Sequence, residues 1–332
     1  MRRCPLQYSC LCNTVSFVLV PYGTIEHLHR YAYFTVILSV YISIVFANTL
    51  LIVVICVERT LHEPMYVFLC SLFVNEIYGS TALMPQLMTQ MFSETHEVSF
   101  VLCLLQMFCL YTAASVEYCN LAAMAYDRYV SICKPLHYSV IMNSRRVCGV
   151  VSLVWSYSFI RFSLTMSLTL PVAYCGNSVN QVFCDLKHVN SLACSDKYSR
   201  NIHNIAAGFL SILVPLVFIV FSYIRILTVC LKMSKQAQRK AISTCTPHIV
   251  SLLNLSIGCF FDIVLSRFST DRVPAALRIC LPLYLCFVQP LLNPVMYGVK
   301  TSKIRNTQRE LLGSVGSLFP PCLLQAQQKT RI

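Results

Sequence analysis

The chain has 332 residues, of which 56% are hydrophobic and 12% charged, and its formal net charge is +13 at pH 7. Soluble domains carry about 25% charged residues, so this composition excludes an ordinary soluble protein. The apolar residues are grouped in segments of about 20 residues or more, long enough to cross a bilayer. The positive charge is therefore attributed to membrane topology and contact with anionic lipid, and no nucleic-acid partner is expected.

Seven apolar segments follow one another along the chain. We expect membrane-spanning helices over 31–57, 64–90, 100–128, 146–170, 201–231, 241–265 and 274–298. Pro64 suits the start of the second helix, because a proline at the first helical position loses no hydrogen bond. The predicted fold class is an all-α membrane protein, a seven-transmembrane helix bundle. The lack of an internal repeat disfavours a transporter built from two related halves.

The basic residues predict the orientation of the chain. The loop at 91–99 contains two glutamates and neither lysine nor arginine, whereas the connections on the opposite side are basic. These basic residues are Arg59, Lys134, Arg145, Arg146, Lys232, Lys235, Arg239, Lys240, Lys300, Lys303, Arg305 and Arg309. Because short basic loops stay in the cytoplasm, seven spans place the N-terminus outside.

This orientation predicts three parts of the chain. They are an extracellular N-terminal tail over 1–30, a seven-transmembrane domain over 31–299, and a cytoplasmic helix and tail over 300–332. The apolar run Val15–Val20 slightly resembles part of a signal peptide, but no small-residue cleavage site follows it. We favour an outer tail with the first helix as signal anchor.

The chain contains 19 cysteines, most of them in apolar segments, where cysteine is usually a small buried side chain. Four others fall on the outer side: Cys103 begins the third segment, and Cys175, Cys184 and Cys194 lie in the long outer loop. An extracellular loop favours disulfides, and four cysteines allow three pairings. Zinc bound with His188 is an alternative, although no usual ligand spacing accompanies it.

The third segment carries charged residues on one face. Glu117 precedes Arg128 by 11 residues, which is about three helical turns. Since charge in lipid is costly, this face should point into the bundle. Asp127 can pair with Arg128 at the cytoplasmic end. The alternative is an interfacial arginine that extends to the lipid headgroups.

Four further positions suggest a polar centre within the membrane. Asn48, Glu76, Glu117 and Asn293 lie deep in four different segments and could meet around one ion or one proton. An unpaired carboxylate there would be costly or would take up a proton. Na⁺ at Glu76 and Glu117 is one possibility, and two protonated acids that bond neighbouring helices are the other. No other cofactor or metal is expected.

Several stretches together resemble the odorant receptors, a family of rhodopsin-like G-protein-coupled receptors. They are LHEPMYVFLC (61–70), MAYDRYVSICKPLHY (124–138), SYIRIL (222–227), KAISTCTPH (240–248) and PLLNPVMYGVK (290–300). The outer-loop pattern at 173–196 is similar too, and the resemblance covers about residues 14–312. The stretch at 69–87 is most similar to fish-type odorant receptors.

The resemblance implies a plasma-membrane receptor that is not an enzyme. Such a receptor binds a small odorant in the bundle, activates the olfactory stimulatory heterotrimeric G protein and raises cAMP. It also implies disulfides Cys103–Cys184 and Cys175–Cys194 and a short amphipathic helix after the seventh span. The implied activation switch comprises Asp127, Arg128, Tyr129, Tyr223, Asn293, Pro294 and Tyr297.

Helix geometry adds candidate odorant contacts in the outer half of the bundle, with ordinary helix packing as the alternative for each. The candidates are Leu110, Tyr111, Ala114, Ser115, Gly208, Ser211, Cys259, Phe260, Ile263 and Arg267. Leu110 stands where amine receptors place an aspartate, which argues against a biogenic amine. Arg267 could bind a ligand carboxylate through its bidentate fork, or it could pair with Asp262 or Asp271.

Some positions depart from the family pattern. Glu76 stands where an aspartate is usual, and Ser256 stands where the sixth helix often has an aromatic residue. Phe260 and Phe261 are candidate replacements for that aromatic. The N-terminal tail has no glycosylation sequon, and the sequon at Asn254 lies within a helix. A channel would need a longer polar path, and an intramembrane protease would need a nucleophile motif that is missing.

Overall fold

The computed structural model describes residues 16–21, 27–169, 174–194, 197–267, 275–300 and 304. Helices dominate these ranges. In chain order they are α1 (His27–Val57), α2 (Pro64–Phe92), α3 (Phe100–Cys133), α4 (Tyr138–Ile141), α5 (Ser144–Thr169), α6 (Leu186–Ser191), α7 (Lys197–Cys230), α8 (Lys235–Arg267) and α9 (Ala275–Lys300).

The seven long helices of the described chain confirm the predicted bundle. Six of them, namely α1, α2, α3, α5, α7 and α8, contain stretches long and apolar enough to cross a membrane. The remaining long helix, α9, packs against α8, α2 and α1 and completes the bundle. Helix α2 packs against α1 and α3, and α3 also contacts α5, α7 and α8. The face of α3 that carries Glu117 therefore points inward.

Several helices extend beyond their predicted apolar segments. Helix α3 continues to Cys133, and α8 begins at Lys235, six residues before the predicted start at 241. Helical backbone hydrogen bonds do not depend on apolar side chains, so the helices continue into the polar zone at the cytoplasmic surface. Helix α2 begins at Pro64 as predicted. Ser99 caps α3 by accepting a hydrogen bond from the backbone N–H of Leu102 at 3.3 Å.

A small sheet on the outer side was not anticipated by the all-α prediction. It comprises β1 (Ser16–Leu19), β2 (Glu97–Ser99) and β3 (Ser178–Val179), with β1 in the centre. Strand β1 pairs antiparallel with β2 and parallel with β3. Phe17 and Leu19 lie on the same face of β1, and both side chains are completely buried. The N-terminal segment thus joins two outer loops that are distant in sequence.

Two large apolar clusters form most of the described core. The inner cluster includes Phe68, Phe73, Tyr118 and Tyr297 towards the cytoplasmic half, and the outer cluster gathers residues beneath the sheet. Members of the outer cluster include Phe17, Leu83, Met107 and Phe162. Large apolar side chains are also exposed on the helix faces that point away from the bundle, among them Phe46, Leu153 and Phe218. Such faces suit a hydrocarbon environment.

Some predictions concern the ends of the chain. Helix α1 begins at His27, four residues before the predicted domain boundary at 31. The amphipathic helix predicted after the seventh span lies outside the described residues, except for Ile304, which is helical and buried against the inner cluster. The predicted cytoplasmic tail also lies outside them.

Candidate functional site

At the cytoplasmic end of α3, an acidic residue holds an arginine in place. Asp127 is completely buried, and its Oδ2 accepts hydrogen bonds from Nε and Nη2 of Arg128 at 3.0 and 2.5 Å. The hydroxyl of Tyr138 in α4 donates to Oδ1 of Asp127 at 2.8 Å. Only 13% of the Arg128 side chain is exposed, so this arginine does not extend to the lipid headgroups.

The other tyrosines of the predicted switch lie close to this end of the bundle. Tyr129 and Tyr223 both pack against a cluster at the ends of α7 and α8 that includes Cys230 and Cys245. The buried hydroxyl of Tyr223 has no hydrogen-bond partner among the described residues. The structure thus brings side chains of α3, α7 and α8 together around the cytoplasmic end. Their role in activation stays a prediction.

Deeper in the bundle, polar side chains connect α2, α8 and α9. The side-chain amide of Asn293 donates to Oε1 of Glu76. Ser251 Oγ donates to Asn293 Oδ1 at 2.6 Å and accepts from Gln289 Nε2 at 3.0 Å. Glu76, Ser251 and Asn293 are at most 4% exposed. The network therefore satisfies polar groups that would be costly in an apolar interior.

The network continues along α8 and α9 towards both ends. In one direction, the side-chain amide of Asn254 donates to Gln289, and the hydroxyl of Tyr284 donates to Asn254. In the other direction, the hydroxyl of Tyr297 lies 3.2 Å from Nδ1 of His248. The sequon at Asn254 is thus within α8 and half-buried, as its position in an apolar segment predicted.

Glu117 and Asn48 border this network. Glu117 is 7% exposed, lies near Gln289 and Asn293, and leaves Oε1 without a hydrogen-bond partner among the described residues. Asn48 donates to the carbonyl of Pro290 at 3.0 Å, while its Oδ1 is likewise unpaired within the described part. The four residues of the predicted ion site therefore lie in one region of the bundle, and the side chain of Asn48 bonds the backbone of α9.

The donor set of this centre is oxygen-rich. Carboxylate and amide oxygens suit hard cations such as Na⁺, which favour oxygen ligands. Among the described residues there is no group of three or more His, Cys, Asp or Glu side chains placed to hold a metal ion. A cation here would therefore depend on the unpaired oxygens of Glu117 and Asn48 as well as on Glu76.

The predicted odorant contacts on α3 divide between two faces. Leu110 is half-buried against the outer cluster, and Ala114 is exposed. The ring of Tyr111 stacks on Phe162 with centroids 5.1 Å apart. Ser115, in contrast, is buried and accepts a hydrogen bond from Ser158 of α5 at 3.0 Å. Ser115 therefore lies at the packed α3–α5 interface, one helical step away from Ala114.

The predicted odorant contacts on α7 and α8 also differ in whether they face the bundle interior. A Cβ atom added at Gly208 would meet no atom within 4 Å, so this position leaves space beside α7. Ser211 is buried. Cys259 packs against the inner cluster, whereas 61% of Phe260 is exposed. The one-residue step of 100° turns Phe260 away from the α8 face that packs, so it does not form the predicted pocket wall.

Two further candidates on α8 concern its outer end. The backbone of Ile263 and Arg267 belongs to α8, but their side chains lie outside the described residues. The predicted carboxylate contact of Arg267 is therefore left as a prediction.

Two disulfides hold the outer loop, and one of them joins it to the bundle. Cys103 pairs with Cys184, with a Cα–Cα distance of 5.4 Å, and Cys175 pairs with Cys194 at 5.1 Å. Both implied pairings are confirmed, which leaves these thiols unavailable to zinc. The backbone N–H of Cys184 also donates to the side-chain oxygen of Gln106 at 2.9 Å. The loop is thus attached to α3 by a covalent bond and a hydrogen bond.

Asp185, the next residue of the loop, is a second contact point. Its Oδ1 accepts from the hydroxyl of Tyr111 at 2.6 Å, and its Oδ2 lies 2.9 Å from Nδ1 of His188. Burial raises the pKa of this carboxyl, but the hydrogen bonds and charge of His188 and the hydroxyl of Tyr111 outweigh it. The pKa of Asp185 is therefore below its ordinary value of 3.8.

Comparison with known proteins agrees with this arrangement. The family model for olfactory receptors matches residues 37–314, which is most of the chain. The chain belongs to the olfactory receptor family. The receptor is 36% identical to mouse (Mus musculus) olfactory receptor 4B13 over 280 residues, covering 83% of this chain and 89% of that protein. It is 34% identical to human (Homo sapiens) olfactory receptor 4E1, covering 87% and 91% of the two chains.

A solved structure supports the fold of this olfactory receptor. The crystal structure of squid rhodopsin is similar with a TM-score of 0.70, covering 91% of this chain and 92% of that chain. Sequence identity to it is 19%, so this likeness concerns the fold alone. The family membership makes the protein a multi-pass receptor of the plasma membrane rather than an enzyme. The similarity to fish-type receptors stays a prediction.

Sequence reasoning missed several residues that shape the sites of this receptor. Tyr138 bonds the switch aspartate, His248 bonds Tyr297, and Asp185 joins the outer loop to α3. Tyr138 stands 11 positions after Asp127 in a different helix, so no helical spacing indicates their contact. His248 ends a family-like stretch, but its sequence position alone does not indicate its partner.

Proposed function

We propose that this olfactory receptor couples odorant binding to a stimulatory heterotrimeric G protein, so that an agonist raises cAMP. The observation that carries the proposal is the largely buried Arg128, held by Asp127 at the cytoplasmic end of α3. Asp127 in turn accepts from Tyr138. An arginine restrained in this way is available to a competing partner once the helix ends separate.

The odorant site is proposed in the outer half of the bundle. Leu110, Tyr111 and Ala114 on α3 and Gly208 on α7 present apolar or small surfaces there, and Cys259 on α8 lies below them. Pockets for small molecules are mostly apolar with a few polar anchors. The hydroxyl of Tyr111 is already engaged by Asp185, so an odorant that contacts Tyr111 would also affect the outer loop.

The path between the two ends is proposed to run through the polar network. Asn293 bonds Glu76 and Ser251, and Tyr297 one turn later contacts His248. A small shift of α8 against α9 changes these bonds together, because each partner has few alternatives in a buried site. We assign Na⁺ binding to Glu76 and Glu117 as a stabiliser of the resting arrangement.

Acidic odorants are the proposed ligand class. Arg267 stands at the outer end of α8, and a guanidinium presents two donors in the geometry of a carboxylate. Arg267→Ala should abolish responses to carboxylic acids and spare neutral odorants of the same size. Equal losses for both classes would contradict this assignment.

The coupling is tested by expressing the full chain in cells that carry a cAMP reporter and the olfactory stimulatory G protein. A panel of straight-chain acids, aldehydes, alcohols and amines of different lengths supplies the probes. At least one class should raise cAMP above receptor-free cells. A surface-expressed receptor that instead signals only through an inhibitory G protein, or carries ions without any G protein, would overturn the proposal.

A further inference from the structure

Three free cysteines from three different helices come together at the cytoplasmic end of the bundle. Cys230 of α7 and Cys245 of α8 belong to one buried apolar cluster, and Cys133, the last residue of α3, packs against it. Cys230 and Cys245 are 6% and 4% exposed, whereas Cys133 is partly exposed. We call these three residues the thiol cluster.

Cys230 is the member of the thiol cluster that interacts with both of the others. Its thiol lies within electrostatic range of Cys133 on α3 and of Cys245 on α8. The ends of α3 and α7 are also in direct contact, because the Cys133 thiol donates to the backbone carbonyl of Arg225 at 3.8 Å. An oxidised thiol that has a second thiol as a neighbour can condense with it to a disulfide.

Exposure and charge make Cys133 the thiol that an oxidant meets first. The thiolate is the reactive form of cysteine, and at Cys133 partial burial disfavours it while the nearby charge of Arg225 favours it. Cys230 and Cys245 are buried more deeply. Redox-sensing cysteines in proteins combine an accessible thiol with a nearby resolving cysteine. Cys133 and Cys230 have this combination.

We propose that the thiol cluster is an oxidation site, at which hydrogen peroxide converts Cys133 and Cys230 to a disulfide between α3 and α7. The Cys133 thiolate attacks one peroxide oxygen and becomes a sulfenic acid; the O–O bond breaks, and the released hydroxide takes up a proton. The sulfur of Cys230 then attacks the sulfur of the sulfenic acid, so that the S–S bond forms while the S–O bond breaks and water leaves. Two thiols and one peroxide thus give one disulfide and two waters, and two molecules of glutathione, the thiol of the cytosol, reverse the reaction.

The disulfide acts on the region where the G protein is proposed to bind. Cys133 follows Arg128 by five residues, and Tyr129 packs against the same cluster as Cys133. A disulfide holds the Cα atoms of its two cysteines within about 7 Å of each other. The ends of α3 and α7 therefore cannot separate in the oxidised receptor, and signalling should fall. This consequence rests on the proposed function, whereas the formation of the disulfide does not.

The first experiment follows the chemistry in purified full-length receptor and requires no odorant. After treatment with hydrogen peroxide, mass mapping of non-reduced peptides should show Cys133 linked to Cys230, and dithiothreitol should remove the link. In Cys230→Ala the resolving thiol is missing, so dimedone, which traps sulfenic acids, should label Cys133. Cys148→Ala is the matched control, because Cys148 is an exposed thiol near the cytoplasmic end of α5 and is not part of the cluster. This control should form the disulfide as wild type does.

Three results of this experiment would overturn the assignment. They are a disulfide between Cys230 and Cys245, dimedone on Cys230 in a Cys133→Ala receptor, and a Cys133 thiol that stays reduced in folded wild-type receptor. Cys230→Ser replaces Cys230→Ala if the alanine variant does not reach the cell surface. The peptide map of the wild type depends on neither variant.

The second experiment measures the consequence in cells that carry the cAMP reporter. The odorant response of each receptor after peroxide treatment is divided by its own response before treatment. Most of the response should be lost in wild type and in Cys148→Ala, and it should be retained in Cys133→Ala and Cys230→Ala. Equal losses in all four receptors would refute the effect on signalling. A Cys133–Cys230 disulfide in a receptor that raises no cAMP even before oxidation would refute the stimulatory coupling and support the oxidation site.

Discussion

At the scale of single residues, Asp127 performs two tasks at once. One carboxylate oxygen accepts from the Arg128 guanidinium, and the other accepts from the Tyr138 hydroxyl. Desolvation by burial raises the pKa of that hydroxyl, and the nearby Asp127 charge raises it further, so Tyr138 remains a proton donor at physiological pH. Hydrogen bonds to charged groups are stronger than neutral ones. The resting position of Arg128 therefore depends on a neighbour in α4.

Tyr138→Phe should raise the agonist-independent activity of the receptor. The substitution removes a bond to a buried carboxylate, which typically contributes about 1.5–3 kcal/mol, without changing the ring. We expect several-fold higher basal cAMP at equal surface level. Tyr126→Phe is the control, because Tyr126 is 48% exposed and its hydroxyl makes no hydrogen bond to Asp127 within the described residues. Unchanged basal activity in Tyr138→Phe would show that α4 does not restrain the arginine.

Arg128→Ala should abolish G-protein signalling without removing the receptor from the surface. The cation is 13% exposed and is the partner of Asp127, so its loss removes the group proposed to contact the G protein. Arg145→Ala is the control, since Arg145 is exposed in the first turn of α5. Antibody labelling of intact cells measures the surface level. Normal cAMP responses by Arg128→Ala would refute the assigned role.

At the scale of elements, a small sheet and two disulfides link the segments on the extracellular side of the receptor. The β1–β2–β3 sheet, the α6 turn and the two disulfides connect the N-terminus, the α2–α3 turn and the loop between α5 and α7. The disulfides differ in the length of chain they close, with separations of 81 and 19 residues. The stabilisation by a cross-link grows with the length of the closed loop.

Loss of the Cys103–Cys184 bond should be the more damaging of the two. By chain entropy the longer loop adds about 1 kcal/mol relative to the shorter one, and the pair is also completely buried. Cys103→Ser with Cys184→Ser should therefore reduce the surface level more than Cys175→Ser with Cys194→Ser. Flow cytometry of tagged receptors measures both. The reverse order would indicate that attachment to α3 contributes little to folding.

Asp185 should make the outer loop sensitive to acid. Its pKa lies below 3.8 in the folded loop, so the ionised form stabilises the fold. This contribution is complete above the ordinary pKa and is lost as the pH falls through the lower folded value. Asp185→Asn should be less stable than wild type at neutral pH and equal to it in strong acid. Thermal unfolding from pH 7 down to about pH 2 measures this, with the exposed Glu94→Gln as control.

At the scale of the whole molecule, the exposed apolar surface is the contact with lipid. Side chains such as Phe46 on α1, Leu153 on α5 and Phe218 on α7 are more than half exposed and face away from the bundle. A soluble protein would aggregate through such surfaces, whereas a bilayer solvates them. The basic residues are concentrated in the connections at the opposite side from Glu94 and Glu97, which fixes the orientation of this surface.

Phe218→Asp should therefore prevent insertion or export. A charged residue at mid-helix costs about 2.5–3.5 kcal/mol on insertion scales. Leu136→Asp is the matched control, because Leu136 is 91% exposed but lies in the short turn between α3 and α4. The surface level should fall strongly for Phe218→Asp and stay near wild type for Leu136→Asp. Similar losses in both variants would contradict the lipid-facing assignment of α7.

Much of this fold follows from the sequence because each span is encoded locally. The apolar segments and Pro64 specify the helices, and adjacency alone predicts the Asp127–Arg128 pair. The contacts between distant segments do not follow in this way. Ser115 and Phe260 were displaced from the predicted pocket because one helical step turns a side chain by 100°. The sheet was missed because its strands have only two to four residues each and pair across the chain.

The central position of β1 constrains how the receptor is made. Residues 16–19 leave the ribosome before any span, but their partners are residues 97–99 and 178–179. At about 5–20 residues per second, some 160 further residues take roughly 8–32 s to synthesise. During that interval Phe17 and Leu19, which the finished receptor buries completely, lack their partner strand β3. This early segment is thus among the last to be folded, because its pairing with β3 follows the synthesis of four spans.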